Sequence, residues 1–196
     1  MTIDEICEKY NITNYTINDD GTIDVNGGVN LYNKGLTELP IRFNKVTGWF
    51  FCRNNQLTTL KGCPRWVGSN FSCSNNQLTS LEFSPDYVGG GFHCNRNDLT
   101  DLIGSPKEVG LYFYCSGNKK LINPKGCSEK IGDKFHCTNT PLESIFNEVD
   151  RNFLHAFNFY KIIKEDTVNL KRLKYVMDLY EQRIDLDKIQ KYYRLV

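Results

Sequence analysis

Aromatic and aliphatic residues return along this chain at a long, nearly constant interval, and within each interval they alternate briefly with polar ones. Phe50, Phe71, Phe92, Phe113 and Phe135 are spaced by 21, 21, 21 and 22 residues, and each is followed two positions later by Cys52, Cys73, Cys94, Cys115 or Cys137. Four residues before each phenylalanine stand Val46, Val67, Val88, Val109 and Ile131; seven or eight after it stand Leu57, Leu78, Leu99, Leu121 and Leu142. A period of this size marks a supersecondary unit that buries its apolar face only by stacking on its neighbours. Residues i and i+2 of a strand share a face, so each Phe-x-Cys predicts a short strand with both side chains inward and the middle residue outward. Each repeat then reads as one short strand plus a return arm. Val25, Val29, Leu31, Leu36, Thr37 and Leu39 occupy the same columns in a degenerate first unit, as suits an end rung.

The polar and small positions repeat as well. Asn55, Asn76, Asn97 and Asn118 stand three residues after the cysteines, where the chain leaves the strand, and an amide that both donates and accepts predicts a ladder of backbone contacts there. Gly48, Gly68, Gly89, Gly110 and Gly132 mark a tight bend before each strand, requiring a positive φ or a close backbone approach. Thr2 and Glu5 form a capping box that predicts a helix over the first ten residues. Tyr15-Thr16-Ile17 and Thr22-Ile23-Asp24-Val25 flank the turn signal Asn18-Asp19-Asp20-Gly21, a hairpin.

Past Leu142 the pattern becomes helical. Phe146, Val149, Phe153, Phe157 and Tyr160 predict one helix, opened by a capping box at Thr140-Pro141-Leu142-Glu143. Leu170, Leu173, Val176, Met177, Tyr180 and Ile184 predict a second after Asp166-Thr167, and a third is expected from Leu186 to Tyr193. Residues 1–21 are thus read as a helix and hairpin cap, 22–147 as a solenoid and 148–196 as a helical segment. That segment is expected to cover the last rung, with partner docking as the other reading.

The segment Phe-x-Cys-x-x-Asn-x-Leu-Thr-x-Leu resembles the leucine-rich repeat pattern Leu-x-Leu-x-x-Asn-x-Leu, which implies an α/β-type repeat solenoid: a curved stack of about six short parallel strands. More specifically, the consensus with Gly62-Cys63-Pro64 and Val88-Gly89-Gly90 resembles short leucine-rich repeat proteins encoded by large tailed bacteriophages. The similarity spans roughly residues 1–147, including the segment 12–25 and Leu31-Tyr32-Asn33-Lys34-Gly35-Leu36-Thr37. It implies a viral origin and a host-cell setting, and carries no settled activity.

Composition narrows the function. Twenty-four basic and 23 acidic residues leave a net charge of +1, which disfavours a polyanion partner held mainly through phosphates. No stretch approaches the ~18 apolar residues of a membrane span, and Met1-Thr2-Ile3-Asp4-Glu5 lacks a signal peptide's pattern, so a cytoplasmic setting is expected. Five of the eight cysteines fall in one inward column and read as small reduced hydrophobes. No Cys-x-x-Cys occurs, and His93 and His136 stand two rungs, roughly 10 Å, apart, so no metal is expected. With no phosphate loop or paired-His motif, no enzymatic activity or cofactor is expected either.

Candidate chemistry lies in the outward columns. Asn30, Phe51, Ser72, His93, Tyr114 and His136 form one; Trp49, Asn70, Tyr112 and Lys134 precede it; Tyr32, Arg53, Ser74, Asn95, Ser116 and Thr138 follow it. The strip is about 24 Å long at ~4.8 Å per rung. Trp49, Phe51 and Arg53 cluster at one end, Tyr112, Tyr114 and His136 at the other, and small polar residues lie between them; His93 of the middle column is counted among the partner contacts. Aromatic and arginine side chains are enriched at interface hot spots, although sheet surfaces favour aromatics through cross-strand packing alone. A partner protein of the host is the leading reading. Nucleotide or single-stranded nucleic acid, with rings as stacking platforms and Arg53 and Lys134 on phosphate, and a structural role in the virion are the alternatives.

Overall fold

The computed structural model describes residues 1–146, 162–180 and 185–196. Successive repeats stack in parallel register as a β-solenoid, the leucine-rich-repeat-like stack implied by the sequence. Six short strands, Val29–Asn30, Phe50–Phe51, Phe71–Ser72, Phe92–His93, Phe113–Tyr114 and Phe135–His136, form an all-parallel sheet. Phenylalanine faces phenylalanine from rung to rung. The ladder outruns these dipeptides: Cys52 and Asn54 N–H still donate to the Ser72 and Ser74 carbonyls.

Each repeat contributes a second strand where only a return arm was expected. The valine column builds a second sheet from Phe43–Val46, Trp66–Val67, Tyr87–Val88, Glu108–Val109 and Lys130–Ile131, which the hairpin strands Tyr15–Ile17 and Ile23–Val25 extend to seven. Val46, Val67, Val88, Val109 and Ile131 stand in register; Gly68, Gly89, Gly110 and Gly132 N–H each donate to the preceding rung's valine carbonyl, as from Gly110 to Val88 at 2.8 Å, while Gly48 donates to the Gly27 carbonyl. A β-branched residue followed by a side-chain-free one is what a two-residue strand meeting a corner requires. These glycines, Gly48 included, do not take positive φ. Close approach explains them: a Cβ on Gly110 would collide with the Gly89 carbonyl oxygen.

The interior is closed to solvent. The five phenylalanines pack as a ladder, with ring centroids 5.7, 5.4, 5.1 and 5.5 Å apart along the series. Phe43 closes the first ring edge-on at 5.0 Å and Phe146 closes the last at 6.1 Å. The asparagine ladder forms as its spacing predicts. Asn76 Nδ2 donates to the carbonyls of Cys52 and Cys73 at 3.1 and 2.9 Å, and its Oδ1 accepts from Leu57 N–H at 3.0 Å. Asn55, Asn97 and Asn118 repeat the arrangement.

Helix α1, Ile3–Lys9, has the reciprocal Thr2–Glu5 capping box. The hairpin pairs Tyr15 with Val25 and Ile17 with Ile23, with Gly21 at φ 74° in its turn. Tyr15 hydroxyl donates to Asp4 at 2.6 Å, tying helix to hairpin.

The other end departs from expectation. Pro141–Ser144 is a 3-10 turn and no capping box forms at Thr140. Thr140 occupies the ladder position of the asparagines, and its hydroxyl donates to the Cys137 carbonyl at 2.6 Å. Glu143 instead accepts from Asn139 N–H at 2.8 Å. Beyond it, Ile163–Lys164, Thr167–Val168 and Arg194–Leu195 form a small unexpected sheet. Asp166 belongs to its turn and Thr167 to its second strand, so helix α2, Leu170–Leu179, is capped at Asn169, whose side chain accepts from Arg172 N–H. Helix α3 is Leu186–Gln190, shorter than expected, because the chain returns to strand at Arg194. Of the first helix expected in the tail only Phe146 is described; Val149, Phe153, Phe157 and Tyr160, like Ile184, lie outside the described residues. The tail does cover the solenoid: Tyr193 is buried and its hydroxyl donates to the Ile122 carbonyl at 2.7 Å.

Candidate binding face

The exposed side of the phenylalanine sheet carries every candidate named from the sequence, because parallel in-register strands align each outward position into a column. Trp49 stacks on Phe51 at 4.6 Å, and the Arg53 guanidinium lies 4.9 Å from the Tyr32 ring and 5.6 Å from the Phe51 ring. Three rungs on, Tyr114 is sandwiched between His93 at 4.8 Å and His136 at 4.5 Å, and Tyr112 leans on Tyr114 at 5.7 Å and His136 at 6.4 Å. His93 therefore belongs to the far cluster. All six ring-bearing candidates are half-buried, since mutual stacking removes much of the apolar area that isolated rings would show to water.

Burial of the imidazole, and next the positive charge of Arg53, hold His93 below the ordinary histidine range. The ring is thus neutral near pH 7. Its edge lies over Gly91, where a Cβ would stand 2.8 Å from His93 Nε2; glycine makes room for the histidine.

Between the clusters runs a polar groove of about 400 Å³. Ser72, Ser74, Asn95, Ser116 and Thr138 line it together with Arg53, His93 and Arg96. No aspartate or glutamate lines it. Arg96 is not among the residues expected from the sequence; it interrupts a column of asparagine and glycine. That column, Asn33, Asn54, Asn75, Arg96, Gly117 and Asn139, has φ between 53° and 75° throughout. The recurrence of asparagine and glycine two residues after the cysteine position was the available signal.

A second outward ladder, on the valine sheet, also went unread. There Lys45 covers Trp66 at 4.9 Å, Trp66 stacks on Tyr87 at 5.6 Å, and Lys130 meets Glu108 at 3.5 Å. Its charges find partners within the ladder. A cavity of about 630 Å³ lies where Asn123–Gly126 meet the tail sheet, and its walls are mostly apolar, including Ile162, Ile163 and Val196. Among the described residues no helix is long and apolar enough to cross a membrane.

The molecule is a parallel β-solenoid with one face of paired ring clusters around a polar groove. No protein-family model matches the chain, and neither a curated protein nor a solved structure matches it.

Proposed function

We propose that this chain is a non-enzymatic protein-binding module, and that Trp49, Phe51, Arg53, His93, Tyr112, Tyr114 and His136 mark the face that meets the partner. The observation carrying this reading is the pre-packed pair of ring clusters, held rigid by mutual stacking on a regular sheet. Rigid aromatic anchors lose little conformational entropy on association, so more of their contact energy appears as affinity. The resemblance to short repeat proteins of large tailed bacteriophages supports the setting: a viral accessory protein in the host cytoplasm that inhibits or redirects a host protein, antiviral defence components being candidates.

Nucleic acid as the partner is less well supported. The ring faces of His93, Tyr114 and His136 are turned on one another, so few remain for bases, and a net charge of +1 supplies little counterion release.

Affinity purification from bacterial cells tests the proposal, with the wild-type chain beside Trp49→Ala, Phe51→Ala, Tyr114→Ala and a nuclease-treated control. A stoichiometric host protein captured by the wild type and lost in a still-folded triple variant is the expected result. Retention of that protein by the triple variant would place the contact elsewhere, and co-purification of nucleic acid alone would favour the alternative.

A further inference from the structure

The groove between the ring clusters is chemically one-sided. Arg53 and Arg96 both line it, and neither guanidinium has an ion-pair or hydrogen-bond partner among the described residues. Arg65, by contrast, faces Asp86 at 3.7 Å, and Arg42 donates to the Asp20 carbonyl.

Arg96 also stands where the backbone disfavours it. At φ 53° it holds a left-handed conformation that its column otherwise gives to asparagine or glycine. The next rung accommodates it: a Cβ on Gly117 would lie 3.0 Å from Arg96 Cγ. Two neighbouring rungs thus depart from the asparagine found elsewhere, and together they place a long cation beside the groove.

The lining supplies donors. Asn95 Oδ1 accepts from Ser116 N–H at 2.9 Å, which orients the amide so that Nδ2 donates to Ser74 Oγ at 3.3 Å. Ser74 is only 8% exposed, and its hydroxyl proton remains to donate, Ser72 Oγ lying at the 3.5 Å limit of hydrogen bonding. Ser116 likewise accepts from Thr138 at 2.8 Å. Guanidinium forks and hydroxyl donors around an acid-free groove match the acceptor oxygens of a carboxylate or phosphate. Two arginines suit one such group better than a polyanion.

We propose that the groove is the oxyanion pocket of the binding face, holding one carboxylate or phosphate carried on a side chain of the partner protein between Arg53 and Arg96. This rests on the face being a protein-binding surface. A bound anion also offsets the charge of Arg53 on His93, so the histidine becomes easier to protonate when the pocket fills.

Titration of the whole chain with inorganic phosphate, and separately with acetate, at constant ionic strength against chloride tests the pocket by NMR. Saturable shifts confined to Ser74, Asn95, Arg96 and His93 are expected, with an upward move in the His93 titration midpoint. The preferred anion separates a phosphorylated from an acidic side chain. Arg96→Asn restores the residue usual in its column, so the melting temperature should hold while phosphate affinity falls about tenfold or more; Arg53→Gln gives a second reading. Affinity unchanged in both variants, or no saturable shift at the groove, overturns the pocket. In the cell capture, loss of the partner with the ring triple variant but full retention with Arg96→Asn would keep the binding face and refute the oxyanion contact.

Discussion

The Asn97 side chain makes three buried hydrogen bonds that an apolar side chain cannot replace. It donates to the Cys73 and Cys94 carbonyls at 3.2 and 3.1 Å and accepts from Leu78 N–H at 3.1 Å, all buried. Alanine there strands the buried Leu78 N–H, whereas the Cys73 and Cys94 carbonyls keep the amides of Asn76 and Asn118; since one stranded group costs about 1–3 kcal/mol, Asn97→Ala should lose about 1–3 kcal/mol. Denaturant unfolding measures it, and a change under 1 kcal/mol would mean that water enters the ladder. The role of these asparagines was legible because an amide recurring at one register has few other uses. The column beside them was not: Asn54, Asn75 and Arg96 share a backbone conformation, and conformation is not written in residue type once an arginine interrupts the series. Phe83 is a similar interruption, at φ 67° among Gly62, Gly104 and Gly126, with its ring 59% exposed; nothing in the structure explains it.

The rung has two strands because its two apolar dipeptides pair in register on different sides of one bend. The bend depends on glycine for lack of room. A Cβ on Gly110 would meet the Gly89 carbonyl oxygen and carbon, backbone atoms with no rotamer to yield. Gly110→Ala should therefore separate two rungs and lose about 1–3 kcal/mol, the range for overpacking, read as a lowered denaturation midpoint. An unchanged midpoint would show that the bend relaxes freely. The sequence marked the bend but offered positive φ and close approach as equal reasons, and only the placement of the preceding rung separates them. Thr140 shows the reverse case. Its motif promised a capping box, yet its register put it in the asparagine column, where the Cys137 carbonyl took its hydroxyl.

Across the whole molecule the cysteine column reports on integrity. Burial pushes the Cys73, Cys94 and Cys115 thiols well up, and Cys137 at the end of the stack up to about 12. Three of the column's thiols also donate to the next rung's carbonyl, as Cys94 does to Tyr114 at 3.4 Å. A thiol reagent at pH 8 should leave these cysteines unmodified in the native protein and react at the rate of unfolding. Because each rung touches only its neighbours, mass spectrometry should find Cys137 modified before Cys94 if the stack opens from its end. Rapid native modification of Cys94 would contradict the closed interior.

What the sequence determined alone was whatever repeats: the period, the inward phenylalanines and cysteines, the asparagine ladder and the columns of the outward face, since stacking converts a recurring residue into a line. Tertiary structure decided what does not recur. The pairing of valines into a second sheet, the union of His93 with the far rings, the presence of Arg53 and Arg96 on one groove and the tail's return to strand each depend on atoms that approach only once neighbouring rungs are laid down. Such contacts are set by distances between columns, and a single chain read in order holds the columns but not the distances.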